Sequence, residues 1–165
     1  MAKMKRLALA ALGVGMLAIS ACGKGQQEAR ETHLSHAPNG DLREITESAS
    51  ALPSFLDGQA DAIRVAYRAA AVLEDTLQWI PCYCGCGGSA GHRSNLDCFV
   101  SELREDGTVE WDDHGTRCNV CVQIALESAW LKEQGKTNLE IRQSIDAKYG
   151  TGYADPTDTP MPAGA

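Results

Sequence analysis

The 165-residue chain has no excess of positive charge, no apolar run long enough to cross a bilayer and no internal repeat. Its formal net charge is −7. Phosphate recognition needs a basic surface, so this balance argues against nucleic acid as a partner. Several cysteine motifs are missing too. Val122 follows Cys121 where covalent haem attachment would want histidine. Ferredoxin spacing is absent, and Cys118/Cys121 is the one Cys-x-x-Cys pair where a zinc ribbon would want two. No strand–helix alternation precedes that pair, so a thioredoxin fold is not expected. Apolar material is not scarce. At 44% hydrophobic residues, the chain excludes wholesale disorder and provides one modest core.

The most informative number is seven cysteines, six of them between Cys82 and Cys121. The seventh, Cys22, closes an export-like segment. Lys3, Lys5 and Arg6 form a positive head, and the apolar run Leu7 to Ile19 follows. Ile19-Ser20-Ala21-Cys22 then resembles the lipobox of bacterial lipoproteins. That resemblance implies removal of residues 1–21, a lipid on Cys22, and anchoring to the cell membrane or outer membrane on its extracytoplasmic face. Removal would take away three basic residues and no acidic one, so 12 basic residues would face 22 acidic ones. Lipid, rather than a basic patch, would then supply the membrane attachment. The compartment would permit disulfides.

Residues 22–51 are polar and are expected to form a flexible tether. His33 and His36 lie there and read as solvated. The domain is expected over residues 52–150. Ala60, Ile63, Tyr67, Ala70, Leu73, Leu77 and Ile80 recur at gaps of three and four, which predicts one helix of about 22 residues that Pro81 stops. Residues 82–97 read as a loop. Residues 98–111 read as a short hairpin about Asp106-Gly107. A second helix is predicted over Cys118 to Gln134. A third starts at the capping-box spacing Thr137-Asn138-Leu139-Glu140 and ends at Gly150. Residues 151–165 carry Pro156, Pro160 and Pro162 and read as a disordered tail. The expected fold class is mainly α, a small bundle of about three helices around a cysteine-rich loop, with room for one short hairpin.

The chemistry lies in Cys82-x-Cys84-x-Cys86, Cys98, and Cys118-x-x-Cys121. Thiolates are soft donors for Cu(I) and Zn(II). Three of them in five residues, loosened by Gly85, Gly87 and Gly88, can wrap a small site. Cys118 and Cys121 fall at a predicted helix start, where unpaired N–H groups favour thiolates. His114 and His92 are further candidate ligands, and Asp97, Asp112 and Asp113 candidate carboxylates for orienting an imidazole. Trp79, Trp111 and Trp130 read as core or rim aromatics. Cu(I) leads because it accepts two or three thiolates, and Zn(II) follows. A metal-donor or metal-acceptor protein is the expected partner, for storage, sequestration or transfer, and no catalysis is expected. Two alternatives stay open: three structural disulfides, or thiol–disulfide exchange at Cys118/Cys121.

Pro81-Cys82-Tyr83-Cys84-Gly85-Cys86 is letter for letter the string of the bacterial PCYCGC-motif lipoproteins. The resemblance extends through Gly91-His92, Asp97-Cys98-Phe99 and His114-x-x-x-Cys118-x-x-Cys121, over about residues 55–150. It implies an exported, lipid-anchored setting and a motif whose three cysteines act as a unit. It implies no particular activity.

Overall fold

The computed structural model describes residues 33–163, and within them lies a four-stranded antiparallel sheet that the hydrophobic pattern conceals. The strands are β1 (His33–His36), β2 (Leu42–Thr46), β3 (Val100–Leu103) and β4 (Val109–Asp112), in the order β1-β2-β4-β3. Two consequences are corrections. The molecule is not a mainly α bundle with one hairpin, because the β3–β4 hairpin continues through β2 and β1 into a full sheet. The expected tether does not run to residue 51 either, because β1 and β2 occupy it. The predicted signal segment and Cys22 lie outside the described residues.

The physical reason for the missed strands is an inverted pattern. Core-facing positions of a half-buried strand are normally apolar. In β2 they are Glu44 and Thr46, while Leu42 and Ile45 are only half-buried. Each makes buried hydrogen bonds, although Glu44 Oε1 has none. Glu44 Oε2 accepts from the Ser54 backbone N–H and hydroxyl at 2.7 Å each, and Trp111 Nε1 donates to Thr46 Oγ1 at 2.8 Å. The hairpin itself has ordinary turn chemistry. Gly107 takes a φ of +87°, and Asp106 accepts from the Thr108 N–H at 2.9 Å.

Five helices complete the domain: α1 (Asp61–Val72), α2 (Glu74–Leu77), α3 (Cys86–Ser89), α4 (Asn119–Glu133) and α5 (Asn138–Tyr149). The long first helix of the sequence reading is broken at Leu73. There the chain turns so that Thr76 can donate to Asn138 Oδ1, while Asn138 Nδ2 returns a bond to the Asp75 carbonyl. Tertiary bonding at the start of α5 overrides helical periodicity. The α5 capping box forms as expected, with Thr137 and Glu140 each accepting the other's N–H. Helix α1 buries Ala66, Tyr67 and Ala70 and packs on α4, which in turn meets α5. Among the described residues no helix is long and apolar enough to cross a membrane.

The C-terminal segment is a further correction. Residues 151–163 form neither helix nor strand, yet they are held against the cysteine loop. The Ala154 N–H donates to the Tyr83 carbonyl at 3.2 Å and the Thr157 N–H to the Cys82 carbonyl at 3.0 Å. Thr157 Oγ1 accepts from the Cys82 N–H at 2.9 Å. Arg142 on α5 fastens the strap by donating to the carbonyls of Thr159 and Pro160 at 3.1 Å each. Prolines remove donors, but they do not prevent such an extended strap from pairing through its threonines.

One glycine is required by close approach. A Cβ on Gly115 would lie 2.6 Å from Phe99 Cε1 and 2.9 Å from the Cys98 carbonyl oxygen. Neither neighbour can yield, since Phe99 is fully buried and the carbonyl is backbone. Gly115→Ala should therefore destabilise by about 1–3 kcal/mol, the usual cost of overpacking. Denaturant unfolding measures it, and an unchanged midpoint would contradict this packing.

Candidate metal centre

Three chain segments bring six sulfurs together, and a fourth adds an imidazole. The first follows the buried Pro81, four residues after α2 ends at Leu77. Cys82 is then pinned by the C-terminal strap, and Gly85, at a φ of +86°, turns the chain into α3 with Cys86 as its first residue. Glycine is the residue that adopts this left-handed turn without strain. The second segment is the 3-10 turn Leu96–Cys98, which delivers Cys98 just before β3. The third is the start of α4, where Cys118 is the N-cap and Cys121 lies in the first turn. The fourth, Asp113–Arg117, is a 3-10 turn that brings up His114.

Cys121 is the hub. Its Sγ lies 3.0 Å from Cys82, 3.2 Å from Cys98 and 3.4 Å from Cys84. Cys82 and Cys98 are 3.1 Å apart, and Cys86 and Cys98 3.8 Å. A disulfide would bring two sulfurs to about 2.05 Å. All six described cysteines are free thiols. Sulfurs held tetrahedrally on one ion at about 2.3 Å stand roughly 3.8 Å apart, so this spacing is close to that of a shared cation. Two overlapping sets result. Cys82, Cys86, Cys98 and Cys121 are all buried and can surround one ion, while Cys84, Cys118 and Cys121 can surround another. Cys84 and Cys118 are only half-buried and form the mouth.

Protons are distributed unevenly over this cluster. The neighbouring sulfurs of Cys118, Cys82, Cys84 and Cys86, together with burial, push the Cys121 thiol far up. The neighbouring sulfurs of Cys118, Cys121, Cys82 and Cys86 push the Cys84 thiol far down. For Cys98 burial works upward, but the neighbouring Cys121, Cys82 and Cys86 sulfurs and His92 outweigh it and hold the thiol low. Both of these sulfurs have imidazole neighbours. His92 Nδ1 lies 3.4 Å from Cys98 Sγ. His114 is pushed up to about 9, chiefly by Cys84 and then by Cys98 and Asp41.

The structure places all eight sequence candidates (Cys82, Cys84, Cys86, Cys98, Cys118, Cys121, His92 and His114) in this one region. The expected carboxylates are different. Asp97 caps a turn by accepting from the N–H groups of Arg93 and Ser94, and Asp112 and Asp113 accept from backbone N–H groups and arginines. The carboxylate that meets the histidines is Asp41, 3.1 Å from His114 Nδ1 and 4.0 Å from His92 Nε2. Asp41 was missed because it stands 73 residues before His114, in a segment read as tether. Asn95 was missed too. It is fully buried and its Nδ2 lies 3.6 Å from Cys82 Sγ and donates to the Cys121 carbonyl at 3.3 Å. No sequence signal marks it. His33 and His36 are exposed on β1 and join no ligand group among the described residues. Trp111 is a core residue, Trp79 is half-buried and Trp130 is exposed.

Comparison with known proteins gives one family. A family model described as a protein of unknown function with PCYCGC motif matches residues 11–162. No curated protein and no solved structure matches the chain.

Proposed function

We propose that this chain, which belongs to the PCYCGC-motif family of unknown function, holds soft metal ions in its thiolate cluster for storage, sequestration or transfer. Cu(I) is the favoured ion and Zn(II) the next. The protein does this as a lipoprotein anchored through Cys22 on an extracytoplasmic membrane face, without catalysing a reaction. The observation that carries the reading is the convergence of six sulfurs from three segments, four of them buried together.

Charge supports more than one ion. Six thiolates in a largely buried volume would repel one another at a cost no fold tolerates without cations. One divalent ion neutralises two of them. Overlapping four- and three-sulfur sets that share Cys121 suit two or more ions with bridging sulfurs, an arrangement in which Cu(I) accepts two or three thiolates each. The half-exposed Cys84 and Cys118 offer a route by which an incoming ligand from a metal-donor or metal-acceptor protein adds before an old one leaves.

The test uses the full chain with Cys22→Ser, purified without air or added reductant. Copper, zinc and iron are counted per chain by mass spectrometry, and free thiols before and after chelation. More than one equivalent of metal is expected, with thiols reactive only once it is stripped. The same sample carries a pH prediction. Cys121 and its protonated neighbours must lose protons on binding, so apparent affinity should fall as pH drops and binding should release acid. No metal and no thiols, even after Cu(I) is offered to reduced protein, would leave a disulfide-stapled domain. A flat affinity between about pH 5 and 8 would also reject thiolate ligation.

A further inference from the structure

His92 poses a problem that the sulfur cluster does not solve. It is 7% exposed, its Nδ1 faces Cys98, and its Nε2 is buried without any hydrogen-bond partner. A buried polar atom of this kind calls for a partner. What Nε2 faces is Asp41 Oδ2, at 4.0 Å, too far for a hydrogen bond and close enough to share a ligand. If His92 Nδ1–H donates to the Cys98 thiolate, Nε2 presents a lone pair toward a buried carboxylate. Two electron-rich atoms facing across such a gap are stabilised by a cation between them.

The third group completes the arrangement. His114 Nδ1 lies 3.1 Å from the same Asp41 oxygen, and the two imidazole rings stand 4.6 Å apart, edge to face. Asp41, His92 and His114 together form a set whose ligand atoms all lie within 4.8 Å of one another. Metal–ligand bonds of about 2.0–2.2 Å separate two ligand atoms by at most about 4.2 Å, and by about 3.4 Å in a tetrahedron. The observed 3.1 and 4.0 Å bracket the tetrahedral figure.

We infer that Asp41, His92 and His114 form a second metal site, distinct from the thiolate cluster, for one divalent cation of the Zn(II) class. Two imidazoles and a carboxylate suit a borderline ion, whereas the neighbouring sulfurs suit a soft one. The carboxylate is held ready. Arg117 binds Asp41 Oδ1, and Asn39 Nδ2 donates to Oδ2 at 2.6 Å. Ligating carboxylates are characteristically fixed by such outer bonds. Arg117 also binds Asp113 at 2.5 Å, and Arg43 binds Asp112 at 3.2 Å, so the carboxylates beside Asp41 have cationic partners. His114, at 19% side-chain exposure, provides the way in.

The site stands adjacent to the soft cluster. Each histidine would hold the cation by one nitrogen while its ring meets a thiolate, Cys98 for His92 and Cys84 for His114. The two sites are thereby coupled through their imidazoles.

Cobalt(II) is the probe, because sulfur ligation adds an intense charge-transfer band that nitrogen and oxygen ligands do not. The full chain with Cys22→Ser is first saturated with Cu(I) under argon and then titrated with Co(II). One equivalent is expected, with ligand-field bands and no sulfur charge transfer. Asp41→Asn and His92→Gln should each weaken it by more than about 100-fold, beyond the effect of losing a supporting group. Parent-like circular dichroism and thermal unfolding of the same variants show that they fold. The proposal is overturned by any of three results: no cobalt uptake in Cu(I)-loaded protein, uptake with a sulfur charge-transfer band, or uptake indifferent to both substitutions. If Cu(I) is not taken up at all, the thiolate reading fails separately, and cobalt titration of that sample still reads the nitrogen–oxygen site.

Discussion

Cys121→Ser is expected to remove most of the bound soft metal, whereas Cys118→Ser should remove only part of it. The contrast follows from sharing. Cys121 belongs to both the buried four-sulfur set and the outer three-sulfur set, and its sulfur contacts Cys82, Cys98 and Cys84 at 3.0–3.4 Å. A serine there leaves three sulfurs in one set, two in the other, and no bridge between them. Cys118 belongs to the outer set alone, so its loss leaves Cys82, Cys86, Cys98 and Cys121 intact. The affinity loss at Cys121 should exceed the roughly 100-fold that removal of an outer-shell support costs. Chelator competition with metal counting by native mass spectrometry reads both variants. Equal retention in the two would mean that the sulfurs bind as independent pairs and that Cys121 is no hub.

Thr157→Val should loosen the motif from outside it. The substitution keeps the side chain's volume and removes a hydroxyl that accepts from the Cys82 N–H in a buried setting. It also breaks the 2.8 Å bond between the hydroxyls of Thr157 and Thr159. Leaving a buried N–H unpaired costs about 1–3 kcal/mol. Metal retention should fall by about 10- to 100-fold, because Cys82 loses a positioning support. Thr157→Ser restores the hydroxyl and should recover retention, which a merely volumetric role for the side chain would not predict. A Val variant that unfolds and releases metal like the parent chain would show that the strap rests on the motif without fixing it.

The cysteines were legible because their chemistry needs no partner to be recognised. Spacing alone put Cys82, Cys84 and Cys86 in a wrapping loop and Cys118 and Cys121 at a helix start, and the structure brings these together with Cys98. The hairpin and the α5 capping box were legible for a similar reason, since both are written in adjacent residues. The rest of the sheet was not. Its β2 turns Glu44 and Thr46 inward and β1 is exposed along its whole length, so neither strand shows the alternation by which strands are recognised. Asp41 was hidden with them, and with it the partner of both histidines. The strap was hidden because composition reports what a segment is made of, whereas Thr157 acts through a bond to a residue 75 positions away.

The position of β1 also sets a limit of distance. If Cys22 carries the lipid, ten residues, and so eleven Cα–Cα steps, separate it from the first strand residue, His33. However they are arranged, they span at most about 36–40 Å. A linker running to residue 51 would have allowed roughly 100 Å. With such an anchor the shorter span would confine the domain to a layer beside the bilayer. A partner exchanging ions with it would have to reside in that layer, within or against the same membrane, and contacts across a wide compartment would be out of range.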